Sequence, residues 1–340
     1  MKTQKFKRTL SLFLAMLMCV TTLFGMGTTA FAAEETDEVY LISYPRDGDA
    51  NYGGEWGHNS LSFMNGWSTA TSRFTTIRAM GSYEGNICYC IEPGVPQQTG
   101  NTFTKKGEDF WDEYPSSYNS TISPDPDDIK LFIGRIFQYG YTGTISTSWR
   151  SQNEGGDKLA NAVATQLLIW ETVVGERDAD FNKVGTGGKS AIVEQISTNH
   201  PLYSRIMGYY NSIAASVQRH SKVPSFLAKS AGKAQNIELE WNGEAYTATL
   251  ADTNGVLSDY VFSANASGIR FSVSGNTLTI TADDAPSDTV TITAEKKNSQ
   301  RRGVITWTDG VYGPNGKLQD TVTYAQTVND PVKGYLNIKV

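Results

Sequence analysis

Near Gly232 the spacing of apolar residues changes period, so the chain has to build two different kinds of core. Upstream, three stretches repeat at the helical interval: Ile129 to Tyr139, Lys158 to Val174, and Pro201 to about Gln218. Asp127 or Asp128 can cap the first, which stops at Gly140, and Asp157 can cap the second, which stops at Gly175. Val39-Tyr40-Leu41-Ile42 and Asn86-Ile87-Cys88-Tyr89-Cys90-Ile91 alternate instead and predict strands, the latter ending at Pro93-Gly94. Downstream, Asn236 to Trp241, Ala245 to Leu250, Tyr260 to Ala264, Ile269 to Val273, Thr277 to Thr281, Thr289 to Ala294, Val304 to Trp307 and Thr321 to Thr327 are short alternating runs. Turn pairs such as Asn242-Gly243, Asn254-Gly255 and Ser274-Gly275 separate them, which predicts an antiparallel sandwich.

The first residues read as an address rather than as structure. Lys2, Lys5, Lys7 and Arg8 precede an apolar run from Leu10 to Phe24, and Ala30-Phe31-Ala32 supplies small residues for cleavage after Ala32. Residues 1–32 are thus expected to be a signal peptide, and the run is too short and wrongly flanked for a membrane span. Its loss removes four positive and no negative side chains, taking the formal charge from −6 to −10. That balance argues against nucleic acid or anionic lipid as the main partner, the lack of a second apolar run argues against membrane insertion, and the remaining 308 residues suit two domains.

Once Cys19 leaves with the signal, an exported chain keeps only Cys88 and Cys90. Residues i and i+2 of a strand stand about 6.6 Å apart on one face, so a bridge between them would be strained. A retained cysteine then points to chemistry. The predicted helix around Gln166 places Leu159, Ala162, Val163, Ile169, Trp170 and Val173 at helical spacing from it, so a carboxamide sits inside an apolar stripe. Left without partners there, it would cost about 1–3 kcal/mol. A cysteine thiolate held against that carboxamide, with water kept out, could expel ammonia and leave a thioester. A partner's lysine could then displace the sulfur and form an amide.

Three motifs, in order, carry a resemblance. Tyr89-Cys90-Ile91-Glu92-Pro93-Gly94, the segment Phe132-Ile133-Gly134-Arg135-Ile136-Phe137-Gln138-Tyr139-Gly140-Tyr141-Thr142-Gly143, and Thr165-Gln166-Leu167-Leu168-Ile169-Trp170 resemble those of the thioester domains of Gram-positive surface adhesins and pilus-tip proteins. Thr142 stands where the family often has proline, and Leu168 where alanine is commoner. The resemblance implies an α+β thioester domain, a β-sandwich or barrel plus a helical part, over residues 33–231. An all-β Ig-like sandwich would follow over 232–331, and residues 332–340 would start a further B-type repeat. It implies that Cys90 and Gln166 are the cross-linked pair, that Tyr89, Tyr139, Tyr141 and Trp170 wall the pocket, and that no cofactor is needed. The partner would be an amine-bearing host or matrix protein, met at the cell surface.

Two rival readings stay open at this point. A cysteine hydrolase or transglutaminase would need a histidine near Cys90, and the chain offers His58 in a loop and His200 and His220 at apparently exposed helix ends. A noncovalent binding or spacer module would place recognition in the sandwich. Cys88 reads as a packed thiol. Asp125, Asp127 and Asp128 read as helix caps rather than a calcium loop, and Glu238 and Glu240 alternate outward, which leaves no obvious acid for a Lys to Asn isopeptide bond.

Overall fold

The computed structural model describes residues 39–44, 74–79, 85–93, 95, 102–113, 126–145, 152–188, 190–200, 202–308 and 320–340. The signal-like start and His58 lie outside them.

The first body is a closed barrel with helices against it. Strands β1 (Val39–Tyr44), β2 (Phe74–Ala79), β3 (Gly85–Cys90) and β4 (Thr102–Lys106) are joined by β13 (Gln300–Thr308) and β14 (Thr321–Asn329) in the order β14-β13-β4-β1-β2-β3. A further pairing of β14 with β3 closes the ring, and β5 (Thr144–Ile145) adds to the outside of β3. The alternation read in β3 sends its side chains to two cores. Ile87, Tyr89 and Ile91 join the main core under the helices, whereas Cys88 packs with Phe103 and Trp307 in a separate small cluster.

Among the described residues four helices accompany the barrel: α1 (Phe110–Glu113), α2 (Pro126–Tyr139), α3 (Gln152–Val173) and α4 (Tyr203–His220). In α2, Ile129, Phe132, Ile133, Ile136 and Phe137 form the buried stripe that helical spacing predicts. Gly134 lets α2 approach β13, since a Cβ there would lie 2.6 Å from the Arg302 carbonyl oxygen. Helix α3 is more deeply set than a one-sided stripe implies: every residue from Ala162 to Val173 is buried. Its polar groups must therefore find partners inside the protein. Thr172 bonds back to the Leu168 carbonyl, and Glu171 accepts from Arg177 and from the Tyr210 hydroxyl of α4.

The second body is the expected sandwich, with a different membership. One sheet runs β10-β11-β8-β7 and the other β6-β15-β12-β9. These strands are β6 (Asn236–Glu238), β7 (Glu240–Trp241), β8 (Tyr246–Ala251), β9 (Tyr260–Ala264), β10 (Ile269–Ser274), β11 (Thr277–Ala282), β12 (Val290–Lys296) and β15 (Lys333–Lys339). The stretch predicted as one strand over Asn236 to Trp241 splits at buried Leu239 and passes from one sheet to the other, with Glu238 and Glu240 exposed as expected.

Two sequence assignments are corrected. Val304 to Trp307 and Thr321 to Thr327, read as sandwich strands, belong to β13 and β14 and pair with the barrel strands β4 and β3. Lys333 to Val340, read as the opening of a further repeat, contains the central strand β15, whose Leu336 and Ile338 are fully buried in the sandwich core. Alternation assigns a strand its faces but not its neighbours, so these runs could not be sorted by pattern. The chain thus crosses between the bodies three times: after α4, between β12 and β13, and between β14 and β15.

Asp252 pins the first crossing. Its buried carboxylate accepts the main-chain N–H groups of Ser225, Asn254, Val256 and Leu257. Burial pushes this carboxyl up, but the four donors outweigh it and hold it below its ordinary range. A depressed folded value means a contribution that is present above the unfolded value of about 3.9 and lost as pH falls through the folded one. Asp252→Ala is therefore expected to lose about 1–3 kcal/mol at neutral pH and to lose less on acidification than the parent. Urea titrations at a series of pH values check both; parallel pH curves would refute the second.

Candidate functional site

Cys90 is the last residue of β3, and the ladder around it is lopsided. Strand β2 pairs with β3 only as far as Thr75 opposite Cys88. On the other side β14 places Thr321 opposite Cys90, and the Ile91 N–H reaches the Asp320 carbonyl at 3.2 Å. In an antiparallel strand the N–H and C=O of one residue point the same way, so those of Cys90 point to the side away from β14. The side chain of Gln166 from α3 fills that place. Its Oε1 accepts the Cys90 N–H at 2.8 Å, and its Nε2 donates to the Cys90 carbonyl at 2.8 Å. The carboxamide behaves as one more peptide group of a missing strand.

The same pairing sets the Gln166 carboxamide against the main chain of the residue that carries the thiol. Cys90 is 8% and Gln166 6% exposed, so the pair is shielded from water but close to the surface. The Glu92 N–H donates to Cys90 Sγ at 3.3 Å. Burial pushes the Cys90 thiol well above its ordinary value; Trp170 and the Glu92 N–H pull it partly back, and the Glu92 carboxylate adds to the rise. A thiol in this setting rests protonated, and its reactivity has to come from held geometry.

The second motif holds that geometry. Tyr89, one residue before Cys90, donates its hydroxyl hydrogen bond to the Tyr141 carbonyl at 2.7 Å. Thr165, one residue before Gln166, accepts the Tyr141 N–H at 2.9 Å and donates to the Asn161 carbonyl at 2.8 Å. Both residues that precede the pair thus grip the main chain of Tyr141. Gly140 makes the approach possible, since a Cβ there would lie 2.5 Å from Thr165 Oγ1. The ring of Tyr89 packs on Phe137 at 5.6 Å, tying the strand to α2 as well.

Of the expected wall residues, Trp170 is buried beside the sulfur, while Tyr89 and Tyr141 act as the clamp just described. Tyr139 is corrected: it is 39% exposed, and its hydroxyl lies 2.8 Å from His220 Nδ1. The two histidines read as exposed helix ends are both buried. His200 Nδ1 accepts the Leu202 N–H at the start of α4, and burial lowers the His200 pKa to about 4. His220 bridges Tyr139 to Asp330, 2.8 Å from its Nε2, and Arg135 adds a two-pronged bond to the same carboxylate. None of these contacts is with Cys90.

Two participants went unnoticed in the sequence. Thr165 stands inside a quoted motif, yet a threonine in a helix carries no signal of its own role. Glu92 is buried, and its Oε2 accepts the Asp320 N–H at 2.7 Å, stitching the segment after Cys90 to the start of β14. An acid two residues beyond a candidate nucleophile was the available clue.

Barrel, helical layer and sandwich define an α+β protein in which a strand-end cysteine is docked on a helical carboxamide. Residues 87–219 match the family model of the thioester domain, and the matched segment holds both Cys90 and Gln166. Among solved structures, the thioester domain of the Staphylococcus aureus TIE protein is 22% identical over 79% of this chain and 86% of that one, with a TM-score of 0.35. The Bacillus anthracis TIE protein is 14% identical over 89% of this chain and 49% of that one, with a TM-score of 0.33, so this chain spans about half its length. No curated protein matches.

Proposed function

We propose that this is an exported covalent adhesin of a Gram-positive cell surface, whose Cys90 and Gln166 form an internal thioester that bonds to an amine of a host or matrix protein. The observation that supports this reading is the reciprocal pair of bonds between Gln166 and the Cys90 main chain, which holds the carboxamide against the residue that carries the sulfur. Sulfur attacks that carbon, the thiol proton leaves with Nε2 as ammonia, and a C–S bond replaces the C–N bond. A lysine amine later forms a new C–N bond while the sulfur departs as a thiol. Each molecule acts once, and the chain is a reagent rather than an enzyme. Export is supported by the basic and apolar start with its Ala30-Phe31-Ala32 ending.

The purified chain is expected to weigh one ammonia less than its sequence requires, and Cys90→Ala or Gln166→Ala to restore the full mass. Methylamine should add to the parent only, faster as pH rises, because a lysine-like amine with a pKa of about 10.4 is mostly protonated near neutrality. A parent of full sequence mass, inert to methylamine, would remove the proposal.

A further inference from the structure

Building on the thioester reading, we infer that the main chain of Cys90 is itself the machinery that steadies the reacting acyl group and orients the entering amine, and that this makes the site selective for primary amines.

The inference rests on the edge of Cys90 that faces away from β14. Cys90 presents one N–H and one C=O there, and Gln166 uses both at 2.8 Å. When sulfur adds to the carboxamide carbon, negative charge gathers on Oε1, which already lies at the distance expected of an oxyanion donor. Departure of ammonia takes away the donor to the Cys90 carbonyl and leaves the N–H facing the thioester oxygen. A carbonyl among Trp170 and the helices is then short of a partner, and a buried acceptor in that state favours whatever restores its bond.

Aminolysis retraces the path with the amine nitrogen in the place of Nε2. In the tetrahedral state that nitrogen has bonded to carbon and carries developing positive charge. One of its hydrogens can bond to the Cys90 carbonyl while another is lost and ends on the departing sulfur. The C–S bond breaks, the C–N bond remains, and Cys90 is again a thiol. A primary amine has a hydrogen for each task. A secondary amine has one hydrogen for both, so it must forgo either the orienting bond or the proton transfer. The lysine side chain, a primary amine on an unbranched stem, satisfies both needs.

The test is a competition between isomers. Ethylamine and dimethylamine have the same formula, and azetidine is a secondary amine whose ring ties its substituents back. Rates of adduct formation on the intact chain, read by mass, are divided by the rates of the same amines on a small unstructured alkyl thioester. Ethylamine is expected to be favoured by about tenfold over both secondary amines after this correction, the worth of one good hydrogen bond. Corrected rates that are equal for ethylamine and azetidine would overturn the inference while leaving the thioester itself standing. A chain with no ammonia deficit before any amine is added would instead defeat the thioester reading, and this inference with it.

Discussion

Ending the chain after residue 231, where the sequence places a domain boundary, is expected to leave a polypeptide without a cooperative unfolding transition. Strands β13 and β14 would be missing, and they supply two of the six members of the ring and both of its contacts with β3 and β4. Trp307 and Val322, buried in the parent, would no longer cover the cores they fill, at about 1.5–3 kcal/mol for a side chain of this kind. A loss of similar size is electrostatic. Arg135 is buried on α2, and its guanidinium makes two bonds to Asp330, just beyond β14, at 2.7 and 3.1 Å. Removing one member of a buried ion pair costs about 3–5 kcal/mol. His220 and the Glu92 carboxylate lose partners in the same step. The sum reaches the whole stability of an ordinary domain, about 5–15 kcal/mol. Thermal melting followed by circular dichroism checks this, with the full chain melting sharply and the truncated one giving no transition. A truncated chain that melts as sharply as the parent would mean that the barrel does not need its last two strands.

That expectation also marks where sequence reading stops. The pattern of Ile129, Phe132, Ile133, Ile136 and Phe137 identifies a helix and its buried face, and Tyr260 to Ala264 is recovered to the residue, because period is a local property. That Cys90 and Gln166 meet was legible for a different reason: a carboxamide in an apolar stripe and a cysteine kept in a nearly cysteine-free chain each call for an explanation, and the three ordered motifs that resemble thioester domains linked the two. Partnership between strands is not local. Thr321 meets Cys90 across 231 positions of chain, and nothing in the alternation of Thr321 to Thr327 separates a barrel strand from a sandwich strand. The histidines were misjudged on similar grounds. His220 ends a helix, which suggests exposure, yet Asp330, Ser299 and Tyr139 close over it from three other parts of the chain.

Gln166→Glu is expected to abolish the ammonia deficit and, at neutral pH, to destabilise the fold, although it exchanges one NH2 for an oxygen. A carboxylate offers sulfur no ammonia to expel and carries its charge against attack, so no thioester forms and methylamine does not add. One carboxylate oxygen can still accept the Cys90 N–H, but the other would replace Nε2 and face the Cys90 carbonyl oxygen without a proton between them. An unpaired buried acceptor costs about 1–3 kcal/mol, and an unpaired buried charge about 3–5 kcal/mol. Protonation relieves both, because the acid then donates to that carbonyl as the amide did. Burial and the facing oxygen therefore raise the folded pKa above the unfolded value of about 4.3. A raised carboxyl gives the opposite sign from Asp252: in a Cys90→Ala background, which keeps the carboxamide in the reference chain, the deficit caused by Gln166→Glu is largest above the folded value and disappears as pH falls below about 4.3. Urea titrations of both chains across that range would read it directly. The substitution also reproduces what water makes of a thioester at this position, so a molecule that reacts with water instead of an amine should unfold more readily than an unreacted one. A Cys90→Ala, Gln166→Glu chain equal in stability at neutral pH to Cys90→Ala alone would show that the carboxamide is not held by the Cys90 main chain as the two bonds imply.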